Sequence, residues 1–395
     1  MRVRFLALVL MVVAIVAAGC QAQHPPARVA LGTAPPPLVG AAAPAATQSA
    51  AAVIAPKSPT ATQASASGYQ LQKVFFATDR QRTGTSPLSY GGNAGEMTYG
   101  YCFVSIPRDH AMGEIETPTL WKLSMKADPV KHMLLMEAEN LPEALFFGDI
   151  HTTLQLNAKR KTFIFVHGYN VLFNDAVKRV AQMAYDLKFA GAPILYSWPS
   201  KGETLAYMAD EESAQETQIH LEKFIADVAE KAGADEIYII AHSMGNRPVT
   251  RALASLSMQK NTLKSRIKEI LLAAPDIDAK VFREEIAPGL LSYYRNRITV
   301  YMSDKDKALL ASGKIHRNYR LGQTGGYTAI DGVEMIDATP IDTDFLSHSY
   351  FAQKPALISD MFYLMEMNIP PSQRSGLRQV VKQQQKLYWQ FAIQQ

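Results

Sequence analysis

From residue 69 onward, short apolar runs of strand length alternate with stretches in which apolar residues recur at helical spacing. Leu71 to Ala77 and Gly100 to Ile106 read as early strands, the second closed by Pro107. Lys161 to Val166 is rich in β-branched and aromatic residues and predicts a strand ending at His167-Gly168. A helix follows over 174–189, with Ala176, Val177, Val180, Met183, Ala184 and Leu187 on one face. The pattern then predicts a strand at 193–197, a long helix at 211–232 and a strand at 236–241. Next come a helix at 247–258, a strand at 269–273 and a helix at 280–293. Strands at 297–302 and 333–336 and helices at 349–367 and 375–392 close the chain. Continuous apolar strands separated by helices imply an α/β fold with a mostly parallel, doubly wound sheet. The early strands, with no clear helix between them, predict an antiparallel start. No Pro/Gly/Ser-rich linker interrupts 69–395, so one domain is expected there.

The first 68 residues follow a different pattern. Met1-Arg2-Val3-Arg4 is basic, Phe5 to Ala18 is almost wholly apolar, and small residues precede Cys20. This predicts a secretory signal over 1–19, too short and wrongly flanked for an ordinary spanning helix. Ala17-Ala18-Gly19-Cys20 resembles the lipobox of bacterial lipoproteins, which implies lipidation at Cys20 and a membrane anchor. Gln21 rather than Asp follows it, which by the same resemblance favours the outer membrane. Residues 21–68 are largely Ala, Pro, Ser, Thr and Gln, with no acidic residue, and predict a disordered tether.

Charge and cysteine usage narrow the function classes. The formal charge of +4 comes from Arg2, Arg4, Arg28 and Lys57, all in the N-terminal segment, so the remainder is balanced. That removes an electrostatic case for nucleic acid. Of the two cysteines, Cys20 is assigned to the lipid and Cys102, in a strand-like run, is expected as a small buried hydrophobe. The nine histidines are scattered and no H-E-x-x-H occurs, so no metal site is expected. No Gly-rich phosphate loop is present, and no cofactor is implied.

Chemistry concentrates at the ends of the predicted strands, where open parallel sheets collect functional groups. Glu236 to Asn246 reads as a buried strand that breaks at Ser243 and resumes as a helix. Ala241 and Gly245 flank the serine at i−2 and i+2. A nucleophile elbow needs small residues at those positions, because the turn is too tight for larger ones. A serine there is also a common helix N-cap; the other strand ends decide between the two. They carry His167-Gly168-Tyr169, Ser197-Trp198, Asp276, Asp304, Asp306 and a loop containing His348.

These residues resemble the α/β-hydrolase superfamily and, within it, an uncharacterised bacterial esterase/lipase-like family. The resemblance covers about 70–367. It rests on Phe75-Phe76-Ala77-Thr78-Asp79-Arg80, Phe165-Val166-His167-Gly168-Tyr169-Asn170, Ala241-His242-Ser243-Met244-Gly245-Asn246, Ala273-Ala274-Pro275-Asp276-Ile277-Asp278 and His348-Ser349-Tyr350-Phe351. It implies ester hydrolysis through a serine triad in the order Ser, acid, His. In that order Ser243 is the nucleophile and His348, after the last predicted strand, the base. His316 also follows Ser243, but sits among Lys314, Arg317 and Arg320 with no evident carboxylate partner. Asp306 and Asp276 compete as the acid; Asp306, fourth in the loop after 297–302, is preferred, and Asp276 is the alternative. The backbone amides of Tyr169 and Met244 are the expected oxyanion donors. His167 is expected to hold its loop, and His242 to point to the face opposite Ser243.

Only about one helix fits between Asp278 and Arg297, so no large lid is expected. The expected substrate is a short-chain or otherwise soluble acyl ester, met at the cell envelope. Two other readings use the same residues: a catalytically idle envelope-binding module, and an acyltransferase or peptidase. Nothing in the sequence points to an oligomeric state.

Overall fold

The central strand Lys161–Val166 is buried at every position, and its neighbour Glu236–His242 at all but its two end residues. Each fully buried Ile, Leu, Val or Phe stabilises by about 1.5–3 kcal/mol, so such runs belong where both sheet faces are covered. The computed structural model describes residues 68–85, 88–118, 126–259, 263–294, 296–325, 329–341, 352–382 and 386–392. The expected signal and the tether up to 67, Cys20, and His348 lie outside the described residues.

Among the described residues eleven strands form one sheet: β1 Tyr69–Thr85, β2 Leu88–Pro107, β3 Leu135–Leu141, β4 Lys161–Val166, β5 Gly191–Ser197, β6 Glu236–His242, β7 Ile267–Ala273, β8 Arg297–Met302, β9 Val333–Asp337, β10 Leu377–Lys382 and β11 Lys386–Phe391. Their spatial order is β10-β11-β9-β8-β7-β6-β4-β5-β1-β2-β3. The run from β1 through β5, β4, β6, β7, β8 and β9 to β11 is parallel. β1, β2 and β3 pair antiparallel at one end, as the early strands suggested, and β10 pairs antiparallel with β11 at the other.

Helices cover both faces. One face carries α1 Glu143–Gln155, α3 Tyr207–Glu216, α4 Gln218–Lys231, α5 Asn246–Ser257 and α6 Ala287–Tyr294. The other carries α2 Phe173–Asp186, α7 Lys307–His316 and α8 Pro355–Met365. Between Asp278 and Arg297 lie a turn at Ala279–Val281, a π turn at Phe282–Ile286 and α6, with no inserted bundle among the described residues. Cys102 is fully buried, and burial pushes its thiol pKa up.

Two expectations are corrected, and two elements are added. The helix expected over 375–392 is the hairpin β10-β11. Tyr388 packs into the core layer on one sheet face while Trp389 and Phe391 pack on the other, an alternation only a strand provides. β11 adds to the sheet through Trp389↔Ile336 and Gln390↔Asp337. Helix propensities differ by at most about 0.7 kcal/mol among ordinary residues, less than the burial of Tyr388 or Phe391 provides. The long helix at 211–232 is two helices, α3 and α4, broken at Thr217, whose hydroxyl donates to Asp79 at 2.6 Å. β3 and α1 carried too weak a pattern to be predicted; α1 buries only Phe146, Phe147, Ile150 and Leu154.

Candidate active site

β6 ends at His242, with an extended backbone, and Ser243 turns the chain at φ 52° into a single 3-10 turn, Ser243–Gly245, that leads into α5. A left-handed backbone on a residue with a Cβ costs roughly 1–3 kcal/mol and persists only where its surroundings enforce it. Two glycines make the turn possible. A Cβ on Gly245 would lie 2.2 Å from the His167 carbonyl oxygen, so the elbow helix can approach the end of β4 only without a side chain there. A Cβ on Gly168 would lie 2.8 Å from the Ser243 Cβ and 3.0 Å from His242 Nδ1. The β4 exit loop therefore packs directly on the serine. The fully buried Asn246 secures the turn, its Nδ2 donating to the carbonyls of Ser243 at 2.8 Å and Ala273 at 3.2 Å.

The same edge of the sheet holds two more residues with left-handed backbones, Asn170 (φ 58°) after β4 and Ala274 (φ 44°) after β7. Strain of this kind gathers at functional edges because ligands must meet backbone in shapes that regular elements do not supply.

The two candidate acids have different surroundings. Asp306 follows β8, is 2 % exposed, and caps α7 by accepting from the Leu309 amide at 3.0 Å. Asp276 follows β7 and is bound on both oxygens. Oδ2 accepts from the Tyr207 hydroxyl at 2.7 Å and Arg247 Nη2 at 3.1 Å; Oδ1 accepts from the Ser312 hydroxyl at 2.5 Å and faces Arg320 Nε at 2.9 Å. Burial raises its pKa, but Arg247, Arg320 and these hydrogen bonds outweigh burial and hold it below the usual carboxylate value. Asp276 is thus a saturated hub joining α3, α5, α7 and the segment after α7.

His316 does have a carboxylate neighbour, contrary to the sequence expectation. Its Nε2 lies 3.1 Å from Glu211 Oε1, supplied by α3 from 105 positions away, and its Nδ1 donates to the Ser312 carbonyl at 2.9 Å. Both ring nitrogens are therefore engaged by other groups. Glu211 also pairs with Arg247.

His167 is buried and its ring stacks on Trp198 with centroids 5.0 Å apart. Burial first, and then the charge of Arg80, push its pKa well below the ordinary value, so it is neutral at pH 7. Beneath it lies Arg80, from the Phe75-to-Arg80 run whose chemistry the sequence did not reveal. Arg80, Asp210, Tyr207, Glu211, Arg247, Ser312 and Arg320 are the participants that sequence reasoning missed; none forms a local pattern. Among the described residues no group of three or more His, Cys, Asp or Glu is placed to hold a metal ion, and no helix is long and apolar enough to cross a membrane.

Comparison with known proteins places the chain. An uncharacterized protein of Nostoc sp. is 24% identical over 260 residues, which cover 53% of this chain and 63% of that protein, less than two thirds of its length. Among solved structures, the Pyrobaculum calidifontis esterase superposes with a TM-score of 0.31 at 12% identity, covering 54% of this chain and 79% of its own. Aspergillus fumigatus lipase B gives 0.32 at 10% identity, with 53% of each chain covered. The model of a family described as "Alpha/beta hydrolase of unknown function (DUF900)" matches residues 144–365. That span runs from α1 to the end of α8 and takes in the elbow, both candidate acids and the β4 exit loop. Matched over more than half its length, the chain belongs to this family of α/β hydrolases.

Proposed function

We propose that this protein is a serine hydrolase acting on short-chain or soluble carboxylic esters at the cell envelope. Ser243 is the nucleophile, His348 the general base and Asp306 the acid, with the backbone amides of Tyr169 and Met244 as oxyanion donors. The observation that carries the reading is the left-handed Ser243 at the junction of β6 and α5, with Gly168 packed on its side chain and Gly245 packed on the end of β4. An ordinary N-cap serine has an extended backbone and needs neither glycine.

Three further observations support the roles. Asp276 has both oxygens occupied by four donors, which leaves the preferred acid, Asp306, for the base. Among the described histidines, His110 lies between Glu116 and Asp186, His220 is held by Asp79, and His167 and His316 are held on both nitrogens. His132 belongs to the β2–β3 connection and His151 to α1. His242 adjoins the nucleophile itself. His24 precedes the nucleophile, and the order Ser, acid, His selects His348, after β9, as the base.

In the reaction His348 accepts the Ser243 proton as the hydroxyl attacks the acyl carbonyl, and Asp306 orients the ring and stabilises its cation. The oxyanion forms against the two amides. His348 returns the proton to the leaving alcohol, and a water activated the same way releases the acid. The envelope location rests on the N-terminal pattern ending at Cys20.

The test is a fluorophosphonate probe on the purified full chain. Wild type should label at Ser243 and hydrolyse short aryl esters, and Ser243→Ala should do neither. A folded wild type that does not label would instead be an idle binding module. Labelling with amide cleavage or acyl transfer outpacing ester hydrolysis would select the peptidase or acyltransferase reading.

A further inference from the structure

We propose that Arg80 is a positioning residue for the oxyanion loop: through His167, its guanidinium fixes the direction in which the Tyr169 N–H points. The assignment rests on the serine-hydrolase reading above and extends it to a buried residue of β1 that faces His167.

Arg80 lies in β1 and is 1 % exposed. Its five N–H donors form a rigid fork, and each meets an acceptor. Nε donates to the Ser197 hydroxyl at 2.8 Å; Nη1 donates to the carbonyls of Gly91 at 3.0 Å and Ser200 at 2.8 Å. Nη2 donates to the Val171 carbonyl at 2.7 Å and faces His167 Nε2 at 3.2 Å. All five acceptors are neutral, and among the described residues no carboxylate pairs with the guanidinium. Burial lowers its pKa to about 10, with Asp210 and Asp79 acting against the shift, so it stays cationic at pH 7.

A guanidinium cannot accept a hydrogen bond, and the Ser197 hydroxyl, 3.1 Å from His167 Nε2, already accepts from Arg80 Nε, so Nε2 presents a lone pair to both neighbours. The proton of the neutral ring must then sit on Nδ1, which donates to the Gly168 carbonyl at 2.8 Å. That carbonyl belongs to the same planar, trans peptide unit as the Tyr169 N–H, and the two point in opposite directions. Fixing the tautomer of His167 therefore aims the Tyr169 amide. Gly168 packs on the Ser243 side chain, so this peptide stands beside the nucleophile.

The rest of the loop is pinned as well. Trp198 Nε1 donates to the His167 carbonyl at 2.7 Å, the Asn170 amide donates to Asp210 Oδ2 at 3.0 Å, and the Val171 amide donates to Ser200 Oγ at 3.0 Å. A lysine at 80 would keep the charge but has three donors and no fork.

Two kinds of measurement test this. In wild type, imidazole 15N–1H correlation spectra should show His167 neutral and protonated on Nδ1; protonation on Nε2 would overturn the proposal without any variant. In kinetics, Arg80→Gln and His167→Phe, the latter keeping a ring to stack on Trp198, should each lower kcat and fluorophosphonate labelling by about 10²–10³, the scale of one lost oxyanion donor. KM should change little, and the double variant should be no worse than either single, because both act through one peptide. Arg80→Lys should recover only part of the loss. If Arg80→Gln does not fold, His167→Phe decides alone. Wild-type labelling with undiminished rates in folded variants would remove this assignment only. Absence of wild-type labelling would remove the serine-hydrolase reading and this assignment with it.

Discussion

The main-chain amide of Asp276 donates to the carbonyl oxygen of Ser243 at 3.2 Å. The turn after β7 is thereby tied to the elbow after β6, and the Asp276 carboxylate carries that tie outward to Arg247 and Arg320. Asp276→Asn should lower stability rather than chemistry. Breaking a buried ion pair by removing one partner costs about 3–5 kcal/mol, and two arginines lose theirs here. Urea or thermal unfolding should show the loss, while the folded fraction still labels with fluorophosphonate. Wild-type stability combined with lost labelling would make Asp276 the acid instead.

Asp306→Asn should give the opposite result. Asn caps helices about as well as Asp, so α7 and the melting temperature should change little. Turnover should fall by about 10⁴, the scale for this change in a serine-protease triad, because the amide favours the wrong imidazole tautomer. Steady-state kinetics on a short aryl ester checks it.

Gly245→Ala places a methyl 2.2 Å from the His167 carbonyl, and rigid backbone stands on both sides of that contact. Overpacking of this kind costs about 1–3 kcal/mol, and the strain falls on the elbow. A lower unfolding midpoint together with slowed labelling of Ser243 is expected. An unchanged labelling rate would mean that the turn tolerates a looser approach than its geometry indicates.

The loop after β2 should respond to pH through His110. Its side chain is buried between Glu116, at 2.9 Å from Nδ1, and Asp186, at 3.0 Å from Nε2. Burial lowers its pKa, but the hydrogen bonds and charges of the two carboxylates outweigh burial and raise it above the ordinary value. A raised folded value means stability that is fully present below the unfolded pKa of about 6.5. It is lost as pH rises through the folded value. His110→Gln should therefore be less stable than wild type near pH 6, by up to about 1.5–3 kcal/mol for a charged hydrogen bond, and the gap should narrow toward pH 9. A gap constant with pH would show that packing alone is at stake.

Replacing Cys20 with Ser should move the protein from the membrane fraction to the soluble envelope fraction. Fractionation with and without the substitution is the measurement, and an unchanged distribution would make Cys20 an ordinary residue.

Much of this molecule is legible along the chain. The apolar run within 236–241 reads as a strand covered on both faces. Gly245, two residues beyond Ser243, is where the elbow helix meets β4. The alternation of strands and helices implies that the strands from β4 through β9 run parallel. These features are local: periodicity reports the backbone state of a segment and the number of faces it buries. The hairpin β10-β11 and the pair β3-α1 escaped that logic, because their patterns are weak and pairing with a distant neighbour settles them. The site divides in the same way. Ser243, Asp306 and the His167–Tyr169 loop are marked by their places at strand ends. The saturation of Asp276, the Glu211 beside His316 and the guanidinium of Arg80 beneath a loop almost ninety residues away became visible only when β1, β4, α3 and α7 were brought together. A side chain's hydrogen-bond partners are chosen in space, and no spacing along one strand or helix encodes them.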